Sequence, residues 1–288
     1  MKLFHRKSGH GHPLIILHGL FGSSDNWFSL AKIFAQHFTV YLVDQRNHGQ
    51  SPQSDHFNYQ LLTDDLAEFI QEHNLTKPHI VGHSMGGKTA MNFAVKYPEQ
   101  INKLIVVDIA PKQYPVHHDH ILEGLHAIDL QTLTSRNEAD KILSEHVPEP
   151  DVRQFLLKNL SRNTESKFEW RVNIHAIENH IEEIGEGMQY PGQFNGPTLF
   201  IKGARSNYFA EGDEAETIKI FPSAHFITLN TGHWVQAEDP TKFAETVFDF
   251  LKVSMNVFNW KANYFIVTFK QKCDSLRYVS LLHPDQMR

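Results

Sequence analysis

The chain has 288 residues, 41% hydrophobic and 21% charged, with a formal net charge of −6, a size that suits one large α/β domain or a core domain carrying an inserted cap. The acidic balance argues against nucleic-acid binding, which wants a basic face for phosphate. The single Cys273 leaves no intrachain disulfide framework and suits a reducing compartment. No apolar run is long enough to span a bilayer, and the opening "MKLFHRKSGHGHP" lacks the apolar core and cleavage site of a secretory signal. A soluble, cytoplasmic protein is expected.

In chain order, "LIILHG" (14–19) is a short apolar run ending at glycine, predicting a buried strand, and "SLAKIFAQHF" carries Leu30, Ile33, Phe34 and Phe38 at helical spacing. "TVYLVDQRNHGQS" predicts a second strand running into a polar turn, and "YQLLTDDLAEFIQEHN" a helix with Leu62, Leu66, Phe69 and Ile70 on one stripe. "PHIVG", "KTAMNFAVKYP" and "INKLIVVDIAP" continue as strand, helix and strand. Such alternation implies right-handed crossovers and a mainly parallel sheet covered by helices on both faces.

Between about Lys112 and Asn195 the periodicity is helical, with four or so helices and no convincing buried strand. A helical block interrupting an α/β alternation reads as an inserted cap, or lid. The alternation resumes with "PTLFIKG", "DEAETIKIF", "AHFITLN" and "PTKFAETVFDFLK". The expected division is therefore a core of 1–111 and 196–252, a cap of 112–195, and an extension of 253–288 whose structure the sequence leaves open. That extension is locally basic, with five Lys/Arg against two Asp/Glu. "HHDH" at His117 to His120 lacks the i, i+4 spacing of a helical zinc site, so no metal and no cofactor is expected.

Gly82-His83-Ser84-Met85-Gly86 fits G-x-S-x-G with a strand before it and a helix after it. A sharp strand-to-helix turn forces the serine into an unfavourable backbone conformation, and flanking side chains would clash. The turn exposes Oγ at the sheet edge and puts the Met85 N–H at a helix N-terminus, where positive partial charge favours an oxyanion. "HGLFGS" (18–23) follows the first strand, where a second oxyanion donor is needed; Leu20 N–H is the candidate and Phe21 the fallback. His233 in "ITLNTGHWVQAEDP" stands between the last core strand and the last helix, placed to take and return the Ser84 proton. The acid is less direct, because "ARSNYF" after the strand "PTLFIKG" offers Ser206 and no carboxylate. Asp213 reads as a helix N-cap. Asp108, ending the strand in "VVDIAP", is the chosen acid, with Ser206 kept as a hydrogen-bond partner that could orient His233. Asp44, Arg46, Asn47, His48 and Ser51 read as loop-bracing side chains. Phe155, Leu156, Trp170 and Tyr208 are candidates for an apolar cleft or for cap core.

The motifs "HGLFGSSDNW", "VDQRNHGQS", "GHSMGGKTAM", "VVDIAP" and "GHWVQAEDP", in that order, resemble an α/β-hydrolase. With Ser206 in "GARSNYF" and "WRVN" in the cap, they resemble its YbfF-type esterase branch. The likeness spans residues 1 to 252. It implies a serine esterase with a helical cap, acting on short to medium acyl esters and also, in the wider reading, acyl-thioesters. It brings a small-molecule substrate and no cofactor. The acid missing after "PTLFIKG" departs from the superfamily pattern and agrees with this branch. Two other readings stay open: the same triad used for carbon–carbon bond hydrolysis or a lyase reaction, and a non-catalytic binder of a hydrophobic ligand.

Overall fold

A computed structural model describes residues 1–115 and 118–252. Residues 1–247 form one compact unit, and a second begins at Phe248. The expected extension 253–288 and His117 of the "HHDH" run lie outside the described residues.

The elements run β1 (His5–Ser8), β2 (His12–Leu17), α1 (Phe28–Phe34), β3 (Phe38–Val43), α2 (Tyr59–Glu72), β4 (His79–His83), α3 (Met85–Lys96) and β5 (Leu104–Val107). There follow α4 (Asp119–His126), α5 (Arg136–Leu143), α6 (Pro150–Leu157), β6 (Leu160–Arg162), β7 (Phe168–Trp170), α7 (Ile174–Asn179) and α8 (Ile181–Gly185). The chain closes its described part with β8 (Thr198–Gly203), α9 (Asp213–Ile220), β9 (Ala224–Leu229), α10 (Val235–Glu238) and α11 (Pro240–Leu251).

Seven strands form one sheet in the order β1-β3-β2-β4-β5-β8-β9, parallel except for the β1–β3 pair. Parallel strands covered on both faces must be apolar throughout, and every residue of β4 and β5 is buried. Ile15, Leu17, Ile80 and Val106 pack in one cluster with Leu66 and Phe69 of α2 and Phe93 of α3. Their alternate neighbours Leu14, Ile16, Val81 and Ile105 point to the other face and are equally buried. Each such side chain contributes about 1.5–3 kcal/mol on burial. The strand order reverses around β2, so loops leaving the C-terminal ends of β2, β4, β5, β8 and β9 gather at one sheet edge, where open α/β sheets bind ligands.

The structure departs from the sequence expectation in four places. Phe38, expected on the helical stripe of "SLAKIFAQHF", instead opens β3, because α1 ends at Phe34 and the chain turns at 35–37. β1, "HRKS", is half exposed and polar at the sheet edge, so it carries no apolar alternation to announce it. The 112–195 stretch holds a short antiparallel pair, Leu160↔Trp170 to Arg162↔Phe168, as well as helices. "WRVNIHAIENHIEEI" also forms two helices rather than one. His180, with φ −123°, leaves the helical region between them, and Asn173 starts the first by accepting from Ala176 N at 3.1 Å. A second apolar cluster packs Leu122, Leu143, Leu156 and Ile177 against Phe21, Tyr59, Leu62 and Met85. This seats the segment between β5 and β8 on the loops at the sheet's C-terminal edge.

Candidate active site

Ser84 stands between β4 and α3 with φ 52° and ψ −117°, a region L-residues rarely occupy and one that costs about 1–3 kcal/mol to hold. The glycines around it are required by close approach. A Cβ on Gly82 would lie 2.2 Å from the Gly86 carbonyl oxygen. One on Gly86 would lie 2.6 Å from the carbonyl oxygens of both Leu17 and His18. The backbone of α3 thus passes directly over the end of β2, which brings the "HGLFGS" loop beside Ser84.

That loop is pinned by two buried neutral histidines. His18 Nδ1 donates to Gly19 O at 2.8 Å while its Nε2 accepts from Gln45 N at 3.0 Å. His48 Nδ1 donates to Arg46 O at 2.9 Å while its Nε2 accepts from Phe21 N at 3.2 Å. Burial pushes the two imidazoles down to about 4 and about 3. The Phe21 N–H is therefore engaged. The N–H groups of Leu20 and Met85 have no hydrogen-bond partner among the described residues.

Asp108 follows β5 with φ 52° and a fully buried carboxylate. Its Oδ1 accepts from Gly203 N at 2.8 Å. Its Oδ2 accepts from His233 Nδ1 at 2.7 Å and from the Ser206 hydroxyl. Ser206 therefore bonds the carboxylate and not the imidazole, which differs from its expected contact with His233. With Nδ1 donating, the neutral His233 ring carries its lone pair on Nε2. The ring stacks on Tyr208 at 4.0 Å between centroids, and the His233 carbonyl accepts from His83 Nε2 at 2.9 Å. Burial holds the His83 imidazole well below the usual range, so it stays neutral. Asp213 is the first residue of α9 rather than its cap, and its carboxylate pairs with Lys112 at 2.7 Å.

Ser84, His233 and Leu20 line one cavity of about 270 Å³, walled by Val152, Phe155 and Trp234. No Ser84–His233 hydrogen bond is formed among the described residues; apo sites commonly tighten only around substrate. Ser84, Leu20 and Met85 also line a second cavity of about 460 Å³, bounded by Tyr59, Ile181 and Tyr208. Of the candidates for a cleft, Phe155, Leu156 and Tyr208 line the first cavity and Trp170 lines neither.

Three neighbours went unread in the sequence. His83 is the first of the two free positions of G-x-S-x-G. Lys88, one turn beyond Ser84, is 1% exposed; its Nζ donates to Gly185 O at 3.0 Å and to Glu186 O, between the rings of Tyr59 and Tyr114. Burial pushes its ammonium down to about 7. Asn159 reaches the "HGLFGS" loop from between α6 and β6. The bracing residues behave as read. Asp44 accepts from Ser24 N and Gln50 N, and Arg46 makes a two-pronged pair with Asp65 at 2.6 and 2.9 Å. Among the described residues no group of three or more His, Cys, Asp or Glu could hold a metal ion, and no helix is long and apolar enough to cross a membrane.

A serine on a strained strand-to-helix turn, with a carboxylate-bound histidine at the same edge of a mainly parallel sheet, defines the class of α/β-hydrolases. The α/β hydrolase fold family matches residues 12–137. The sn-1-specific diacylglycerol lipase ABHD11 of Danio rerio is 36% identical over 85% of this chain and 80% of its own. Esterase YbfF of Escherichia coli K12 is 35% identical over 79% of this chain and 88% of its own. A solved marine microorganism esterase superposes with a TM-score of 0.84 at 42% identity, covering 86% of this chain and 99% of that one. The chain belongs to the α/β-hydrolase family and, within it, to the YbfF-type branch of carboxylic-ester hydrolases.

Proposed function

We propose that the protein is a serine esterase for short to medium acyl esters, extending to acyl-thioesters, with residues 112–195 as a cap over the site. The observation that carries the reading is the buried Asp108 carboxylate holding His233 Nδ1 at 2.7 Å while Ser84 and His233 share one cavity. Ser84 Oγ attacks the ester carbonyl as His233 Nε2 takes its proton. The oxyanion forms between the N–H groups of Leu20 and Met85, which have no other partner among the described residues. His233 then protonates the leaving alkoxide or thiolate. Water, deprotonated by the same ring, attacks the acyl-enzyme and releases the carboxylic acid. Asp108 fixes the tautomer, and Ser206 supports Asp108.

Ser84 sits where the two cavities meet, which supports separate seats for acyl and leaving groups. In this reading the mostly apolar walls of both cavities exclude water from the oxyanion and accept a carbon chain. A cytoplasmic location belongs to the same reading, resting on the lone Cys273. The test is steady-state hydrolysis of p-nitrophenyl acetate, butyrate and octanoate beside a butyryl thioester with a thiol-trapping readout. The proposal expects turnover of the acyl esters and of the thioester. Hydrolysis of none of them would sink it.

A further inference from the structure

We infer that Asn159 is a positioning residue that makes the oxyanion hole depend on a seated cap. Phe21 has φ 57°, a left-handed conformation that favours glycine, in the turn closed by Gly22 N donating to Gly19 O at 2.9 Å. A bulky residue keeps such a conformation only where its surroundings over-determine it. Three ties do so. His48, from the core, accepts the Phe21 N–H. Asn159 Nδ2, from the cap, donates to the Phe21 carbonyl at 2.7 Å. The Phe21 ring lies in the apolar cluster built mainly from cap residues, with Leu156 and Leu160 on either side of Asn159 in sequence.

Asn159 is itself fixed. It is 4% exposed, its Nδ2 also donates to Leu156 O at 3.1 Å, and its carbonyl accepts from Arg171 N at 2.8 Å. The amide therefore extends the framework of α6 and the β6–β7 pair onto a single carbonyl of the loop. The Leu20 N–H lies on the Gly19–Leu20 peptide unit, one unit before the Leu20–Phe21 unit that His48 holds, so a shift at Phe21 reaches it through the Leu20 backbone dihedrals. With Asn159 in place, Leu20 lines the cavity shared with Ser84, and its N–H has no hydrogen-bond partner among the described residues. Without it, only His48 and the ring hold a strained residue, and the turn is free to relax and swing the donor away. A cap lifted from the core would thus disable the hole as well as open the cavity. In this way acyl transfer is confined to the enzyme with its cap seated.

The inference rests on the acyl-transfer reading above, and the experiment separates the two. Asn159→Asp keeps the shape of the side chain and replaces the donor with a carboxylate oxygen facing the Phe21 carbonyl; Asn159→Ala removes the tie. The expected result is a fall in kcat of about 10- to 100-fold in both variants, with KM within about twofold, because a donor displaced by an ångström acts on the transition state and not on binding. A trifluoromethyl ketone, which forms a hemiketal oxyanion on the nucleophile, should lose affinity in proportion to kcat/KM. The corresponding unfluorinated amide, a ground-state analogue, should bind unchanged. Thermal midpoints of the full-length variants separate loss of folding from loss of alignment, since a merely structural role would lower the midpoint and leave the ratio of the two affinities as in wild type. Wild-type affinity for the trifluoromethyl ketone in both folded variants would overturn the inference alone. Failure of the wild-type enzyme to form the hemiketal would overturn the acyl-transfer reading and this inference with it.

Discussion

Replacing Asp108 by Asn changes one atom and should stop most of the reaction. Both oxygens of the carboxylate accept: Oδ1 from Gly203 N at 2.8 Å, and Oδ2 from His233 Nδ1 at 2.7 Å and from the Ser206 hydroxyl. A carboxamide has one acceptor end. If its oxygen faces Gly203, the NH2 group points at His233 Nδ1 and drives the ring proton to Nε2, the atom that must receive the Ser84 proton. If its oxygen faces His233, the NH2 group meets the Gly203 N–H donor to donor in a fully buried site. The second arrangement keeps the useful tautomer but carries a buried donor–donor clash, so the first, which loses it, is favoured; for that loss a fall in kcat of about 10⁴ is the precedent, or about 5.5 kcal/mol. Ser206→Ala leaves both remaining bonds of Asp108 intact and removes one donor to a charged acceptor, about 1.5–3 kcal/mol, so its loss should not exceed about 100-fold. The assay is kcat on p-nitrophenyl butyrate for wild type, Asp108→Asn and Ser206→Ala, with folding checked by near-UV circular dichroism. An Asp108→Asn enzyme within tenfold of wild type, or a Ser206→Ala enzyme worse than Asp108→Asn, would refute the reasoning.

Gly86→Ala places a methyl 2.6 Å from two main-chain oxygens that cannot step aside, so urea unfolding should report a loss of about 3 kcal/mol; unchanged stability would contradict the close approach of α3 and β2. His18 and His48 stay neutral in the fold to about 4 and about 3, whereas the unfolded chain takes up those protons near 6.5. Their contribution is present above pH 6.5 and falls by up to about 1.4 kcal/mol per pH unit per histidine on acidification from 6.5 toward 4. His48→Gln, which keeps an acceptor, should show a shallower slope of unfolding free energy over that window. Lys88 works in the opposite pH range. The fold gives up its proton near 7 while the unfolded lysine keeps it to 10.5, so stability should climb from pH 7 toward 10, and Lys88→Met should flatten that climb.

What could be read from the chain in advance follows from which features are local. The G-x-S-x-G turn was legible because its constraint is steric and contained in five residues. His233 was legible because strand, turn and helix bracket it. The buried strands "LIILHG", "PHIVG" and "LIVV" announce themselves because parallel strands are apolar on both faces. β1 did not, since a polar edge strand has no such pattern, and neither did β6 and β7, at three residues each. The route from Asp108 to His233 spans 125 residues of sequence, and only the parallel order β5-β8-β9 brings their loops together. Lys88 reads as an ordinary polar position in "GGKTAM" until α8 is packed over it. Asn159 is silent in sequence altogether, because its meaning lies in a carbonyl 138 residues away.

The most direct test of the whole account is labelling with a fluorophosphonate, followed by peptide mapping and p-nitrophenyl ester hydrolysis, for wild type beside Ser84→Ala. The account predicts one label, on the peptide holding Ser84, and a Ser84→Ala protein that folds but neither labels nor turns over. A Ser84→Ala enzyme that keeps most of its esterase rate, or a label carried by another residue, would contradict it.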